Sequence, residues 1–198
     1  MPSPLPYIIG FSGKLGSGKD YIAKNILPGV LKDVFYIDFD VRIIGLADQL
    51  KYEVAARDAT IDYEQMYVKK PAAVRKCLQE YGTENGRNKY GDDMWIRALQ
   101  MRIRVDTERH IGDRPLLFVI TDVRYENEAA FVESCGILIR INASARNSQR
   151  LKEEGTEHLA GHRSETSLDK YPFKNGIAND PDDAPYVDKA LKMILGAH

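Results

Sequence analysis

Residues 10–20 read GFSGKLGSGKD, with glycines at 13, 16 and 18 and lysines at 14 and 19, directly behind the apolar run Tyr7-Ile8-Ile9. Gly13 to Asp20 fits GxxxxGK followed by Asp, one residue away from the phosphate-binding loop GxxxxGK[ST]. The setting is the required one, since the glycines follow a candidate strand and lead into a candidate helix. Phosphate oxygens need backbone N–H groups converging from a tight loop, and side chains on that loop would block their approach. Gly13, Gly16, Ser17 and Gly18 supply such a loop; Lys19 would reach the terminal phosphates as a point charge, and Lys14 adds charge from the loop itself. Asp20 stands where most such loops carry a hydroxyl, and its carboxylate can hold a hard cation directly or through water.

Working outward, 198 residues with 43% hydrophobic content suffice for one α/β domain with a full core. Twenty-eight Lys+Arg against 29 Asp+Glu leave a net charge of −1, so no global field draws the chain to nucleic acid or an anionic membrane. Anion recognition must therefore be local. Cys77 and Cys135 match no metal or redox spacing, and neither a signal peptide nor an apolar run of about 18 residues is evident, so a cytoplasmic protein is expected.

Apolar runs at 7–11, 41–46, 116–121 and 137–141 read as buried strands, with a weaker one at 34–37. Helical patterns alternate with them, which predicts an α/β fold with a parallel sheet covered on both faces. Helices are expected over 18–27, stopped by Pro28-Gly29, over 47–57, over 71–81, ended by Gly82, and over 93–110. Residues 142–170 are highly polar and read as a mobile cover. A short apolar segment near 176–178 and a helix over 184–195 close the chain.

LLFVITDVRYENEA places Asp122 at the carboxyl end of a strand beside the glycine loop, where a metal-orienting or base carboxylate belongs; the alternative is an N-cap for the helix that follows. Arg124 aims at the same crevice. Phosphoryl transfer needs cations on both reactants, and two groups are available: Arg75, Gln79 and Arg87 in RKCLQEYGTENGR, and Arg146, Arg150 and Arg163 in the polar cover. Each arginine alone is as readily a solvated helix face. His158 and His162 have zinc-like spacing, but Gly161 weakens a helix between them and no third ligand accompanies them. Tyr67, Tyr81 and Trp95 are candidates for stacking on a base, with core packing the simpler role.

Several segments together resemble the deoxynucleoside monophosphate kinases encoded by bacteriophages, a branch of the P-loop nucleotide kinases. They are SGKLGSGKD, LADQLK, LQEYGTENGR with GDDMWI, TDVRYENEA, HRSE at 162–165 and IAND at 177–180, in the family's order over nearly the whole chain. The resemblance implies a single three-layer P-loop kinase domain over 1–198, with a monophosphate-binding region at about 47–92 and a lid at about 142–170. It implies transfer of the ATP γ-phosphate to a deoxynucleoside 5′-monophosphate with Mg²⁺, and a homodimer in the cytoplasm of the host cell. Carried onto matching positions, Gly13 to Lys19 hold ATP, Asp20 and Asp122 organise the metal, and Arg124 faces the acceptor. Asp48, Lys51, Arg75, Gln79 and Arg87 line the monophosphate site, Arg146 and Arg150 supply lid charge, and Asn179 passes the adenine. Animal-type phosphomevalonate kinases share the GKD ending and are the alternative enzyme; a non-catalytic ATP-binding module is the alternative outside enzymes.

Overall fold

A computed structural model of the protein describes residues 7–69, 71–155 and 161–196. Five strands form: β1 (Tyr7–Ser12), β2 (Asp40–Ile44), β3 (Leu116–Val123), β4 (Ile137–Asn142) and β5 (Asn175–Ala178). The helices are α1 (Lys19–Tyr21), α2 (Leu27–Phe35), α3 (Asp48–Arg57), α4 (Ala72–Glu80), α5 (Asn88–Tyr90), α6 (Met94–Glu108), α7 (Glu126–Cys135), α8 (Ser144–Glu154), α9 (Arg163–Thr166) and α10 (Val187–Gly196). Wider π-helical stretches occupy Ile22–Ile26, Glu64–Lys69 and Tyr81–Arg87.

The sheet runs β2-β3-β1-β4-β5 with every pairing parallel, the α/β architecture expected from the sequence. A parallel sheet must be covered on both faces, and the side chains obey the strand period of two. Ile9 and Phe11 of β1, Leu117 and Val119 of β3, and Ile139 and Ile141 of β4 share one core with Leu27 and Leu31 of α2 and Leu191 and Leu195 of α10. Fully burying each such side chain contributes about 1.5–3 kcal/mol. On the other face α7 comes so close to β1 that a Cβ at Gly10 would lie 2.6 Å from Val132 Cγ1. Glycine at 10 is a packing requirement.

The chain divides into two compact units, one from the described parts of Met1–Ile44 and Val105–His198, the other Gly45–Arg104. The first holds the whole sheet. The second packs Leu50, Val54, Met66, Val74 and Trp95 together, and the Trp95 indole N–H donates to Gly82 O at 3.2 Å. A Cβ at Gly86 would meet Trp95 Cζ2 at 2.4 Å, so Trp95 fills the core of this unit.

Three local expectations are corrected. Residues 34–37 form no strand: α2 continues to Phe35 because Leu27, Val30, Leu31 and Val34 repeat at helical spacing on one core face, and the left-handed Tyr36 (φ 55) ends it. Pro28-Gly29 does not stop the first helix, since Pro28 falls in the first turn of α2, where a missing N–H leaves nothing unpaired. Gly82 does not end the helix over 71–81 either; the backbone widens into the Tyr81–Arg87 π-helical stretch, with Gly82 against Leu50 and Gly86 against Trp95. Among the described residues, no helix is long and apolar enough to cross a membrane.

The Gly10 contact gives a stability test. Gly10→Ala should lower the urea unfolding free energy by about 1–3 kcal/mol through overpacking, and Val132→Ala in the same chain should restore much of the loss. Two additive, independent losses would mean that the strand and α7 do not meet as described.

Candidate functional site

The site is built at the carboxyl end of β1, inside the sheet-bearing unit. β1 lies between β3 and β4, so the chain's connections reverse direction across it, and ligands of open α/β sheets bind in the crevice at such a point. The loop from Gly13 to Gly18 wraps around Lys19. Its side chain is 8% exposed, and the ammonium donates to Gly13 O at 2.7 Å, Lys14 O at 2.9 Å and Ser17 Oγ at 3.1 Å. All three N–H bonds of the ammonium are used. Burial lowers the Lys19 pKa from 10.5 to about 7, helped by the Arg124 guanidinium and opposed by Glu165 and Asp20.

Two loop positions leave no room for a Cβ. A Cβ at Gly13 would press on Ser17 Oγ at 2.5 Å and Ile141 O at 2.7 Å, and Gly18 combines φ +87 with a Cβ position 2.5 Å from Asn179 Nδ2. Asn179 is buried; its amide donates to Ser17 O at 2.8 Å, while its own N–H donates to Asn142 O at 2.7 Å. The residue expected to pass an adenine thus anchors the loop to the strand ends. Arg146 on α8 donates its backbone N–H to Asp180 Oδ1 at 2.9 Å, and its Nη1 lies 3.2 Å from the Cβ position of Gly18. Arg150 belongs to α8, but its side chain lies outside the described residues, as does His158.

Arg124 follows β3 and pairs with Glu165 of α9, whose Oε2 accepts the Leu15 N–H of the glycine loop at 2.8 Å. Next to this pair, Lys14 Nζ lies 2.9 Å from Asp169, and Arg140 of β4 donates to Ser12 Oγ at 3.0 Å with Nη2 3.8 Å from Asp169 Oδ1. Burial pulls the Arg140 pKa down. Ser12, Gly13, Arg124, Arg140 and Glu165 meet at a closely packed junction that leaves no room for a water molecule. Sequence reasoning missed Arg140, Asp169 and the part played by Glu165. The signal for Arg140 was an arginine inside ILIRIN, an otherwise apolar strand of a parallel sheet, where a charge needs a reason.

Asp122 is the penultimate residue of β3, and the N-cap position of α7 is Tyr125, three residues on; Glu128 Oε2 takes the N–H groups of Arg124 and Tyr125 at 2.7 and 3.1 Å. Asp20 is exposed in the first helical turn. Among the described residues, no cluster of three or more His, Cys, Asp or Glu could bind a metal by itself. Two carboxylates at the loop nevertheless suit Mg²⁺, which takes one or two protein carboxylates and completes its shell with phosphate oxygens and water.

The other predicted residues lie in the second unit. Asp48 opens α3, accepts the Gly45 N–H at 2.8 Å, and receives both Lys51 Nζ and the Tyr67 hydroxyl at 3.3 Å. The Lys51 ammonium sits 4.2 Å from the Tyr67 ring centre. Arg75 and Gln79 are half-buried one turn apart on α4, and Arg87 is buried with Nη1 donating to Asp92 O at 2.7 Å. Tyr81 donates to Glu53 at 3.1 Å and carries the Arg57 guanidinium 4.9 Å above its ring.

No protein-family model matches the sequence, and no curated protein matches it. Solved structures do match over nearly the full length. TT1252 from Thermus thermophilus is 16% identical with a TM-score of 0.52, covering 97% of this chain and 97% of that one. A shikimate kinase from Acinetobacter baumannii solved with shikimate is 12% identical with a TM-score of 0.47, covering 98% and 96%. A gluconokinase from Sinorhizobium meliloti 1021 is 15% identical with a TM-score of 0.44, covering 96% and 94%. At 16% identity the likeness to the Thermus protein is one of fold.

The Asn179 anchor is open to measurement. Asn179→Ala leaves the buried Ser17 carbonyl without its donor and should lower the urea unfolding free energy by about 1–2 kcal/mol. Stability equal to that of the unmodified protein would mean that water takes over the bond and the loop does not rest on it.

Proposed function

We propose that the chain is an ATP-dependent phosphotransferase that passes the γ-phosphate of ATP to a deoxynucleoside 5′-monophosphate, giving ADP and a deoxynucleoside diphosphate. The observation that carries the donor half is the buried Lys19 ammonium, held by the carbonyls of a glycine loop between β1 and α1 with Arg124 beside it. The acceptor half rests on the sequence resemblance and on the set Asp48, Lys51, Arg75, Gln79 and Arg87.

In this reading the loop N–H groups bind the donor's β- and γ-phosphates and Lys19 exchanges one of its loop acceptors for a phosphate oxygen, with Lys14 and Arg146 adding charge at the loop's edge. Asp20 and Asp122 would hold Mg²⁺, which when bound neutralises charge on the donor phosphates. The acceptor phosphate is already anionic near neutral pH and needs no strong base. What the chain contributes is alignment of two anions that otherwise repel and neutralisation of the charge between them. Arg124 is placed for the transferring group, and α8, which carries Arg146 and Arg150, closes on the donor to keep water from the phosphoryl group.

A coupled ADP-release assay with Mg-ATP, run in parallel on dGMP, dTMP, dCMP, dAMP and phosphomevalonate, tests the whole reading. Turnover with a deoxynucleotide and silence with phosphomevalonate is the expected result; the reverse would give the acceptor site to an isoprenoid, and silence in every well with ATP still bound would make the chain a non-catalytic binder. Lys19→Ala should lower turnover by orders of magnitude, and a variant retaining near-normal rate removes the phosphate-loop assignment.

The lowered Lys19 pKa makes a second prediction with a definite sign. At pH 8, above its value of about 7, Lys19 of the free protein is mostly neutral. An anion beside it favours the charged form and raises that pKa. ATP binding at pH 8 should therefore take up protons, seen as a calorimetric enthalpy that varies with the buffer's ionisation enthalpy, and the uptake should vanish in Lys19→Met.

A further inference from the structure

The packed junction beside the glycine loop is closed by one segment. Glu165 and Asp169 lie four residues apart, and each bridges a loop group to an arginine from the end of a central strand. Glu165 accepts the Leu15 N–H and pairs with Arg124; Asp169 pairs with Lys14 and lies 3.8 Å from Arg140. Glu165 is 9% exposed, and its two oxygens are spent on these two partners. A backbone N–H of the loop, its first lysine and two strand-end arginines are the donors that an oligophosphate would use, and each is met here by a carboxylate oxygen. The arrangement offsets the partial desolvation of Arg124 and Arg140, while the Lys14–Asp169 pair stays open to solvent.

We propose that Leu15 N–H, Lys14, Arg124 and Arg140 form an oligophosphate-binding site, and that Glu165 and Asp169 occupy it in the empty protein as surrogates for phosphate oxygens. The incoming anion competes with the two carboxylates and displaces them. Donor binding then has two opposite effects on the polar region: α8 closes while the segment carrying α9 and Asp169 lets go. Arg140, which sequence patterning did not single out, becomes a phosphate contact, and Glu165 a gate on the loop. Glutamate suits this part because a carboxylate matches the geometry of two phosphate oxygens yet carries one charge, so a ligand with several can outbid it. The inference rests on the donor-site assignment made above.

Two measurements test it together, with inorganic tripolyphosphate and ATP as probes. By calorimetry, Glu165→Gln and Asp169→Asn should each bind tripolyphosphate roughly tenfold more tightly than the unmodified protein, on the scale of one charge-assisted hydrogen bond. Glutamine keeps an acceptor for the Leu15 N–H, thermal unfolding checks that the variant folds, and Asp169 is exposed enough to be replaced without harm to the core. Removing a negative charge could tighten anion binding by field effect alone, so hydrogen exchange decides. Saturating ATP should speed amide exchange across residues 162–169, whose helical bonds include Glu165 N–H to His162 O at 2.8 Å and Ser167 N–H to Arg163 O at 2.9 Å. Slower or unchanged exchange there, or affinities in both variants no tighter than in the unmodified protein, overturns the displacement. If neither the protein nor its variants bind ATP or tripolyphosphate, the donor-site assignment falls with it; ATP binding with a protected segment sinks this inference alone.

Discussion

Lys19 is a cation buried inside the loop that it serves, and the loop takes its shape from it. Two backbone carbonyls, Gly13 O and Lys14 O, turn inward to the ammonium together with Ser17 Oγ. Carbonyls that face in leave amides free to face out, which is how one loop can hold a lysine on one side and anions on the other. The residues around it follow from that constraint. Gly13 has no room for a Cβ between Ser17 and Ile141, and Gly18 has none beside Asn179. Asn179, brought in by the end of β5, locks the loop from behind through Ser17 O. The burial that makes Lys19 a rigid fixture also makes it a reluctant cation, with a pKa of about 7.

Sheet topology then decides which charges meet the loop. With β1 between β3 and β4, the carboxyl ends of both neighbours open beside residues 13–18. Arg124 arrives from one and Arg140 from the other, 16 positions apart in sequence, and both meet Ser12 and Gly13. No helix or strand preference of the arginines themselves has a part in this. Replacing β3 or β4 as neighbours of β1 would scatter the cluster even with every side chain retained.

Much of this was legible from the residues. Glycine spacing behind an apolar run located the loop and the central strand, and alternation of apolar runs with helical patterns foretold a parallel sheet. What escaped has specific causes. Residues 34–37 are apolar and short, so periodicity alone cannot separate a helix end from a strand; Val34 proved to be the last turn of a face begun at Leu27. Pro28 reads as a stop unless the preceding helical phase is known, and a π-helical stretch before it changes that phase. HRSE stood out as a motif without a role, because the partners of Glu165 are Leu15 and Arg124, 150 and 41 positions away. Contacts at such separations are set by the fold and leave no local trace.

The departure at position 20 is intelligible in the same terms. Ser17 holds the one hydroxyl between residues 13 and 20, and it is fully buried with its oxygen committed to Lys19. It cannot also serve a metal outside the loop. In the proposed reading an outward oxygen donor would come from position 20, where a carboxylate does more than a hydroxyl: it is a stronger ligand for a hard cation, and its charge raises the Lys19 pKa against the pull of burial and Arg124. A hydroxyl at position 20 would leave Lys19 still more neutral at physiological pH, beside two arginines that already lower its pKa. Asp20 is thus matched to a loop whose lysine is buried more deeply than its charge can easily bear.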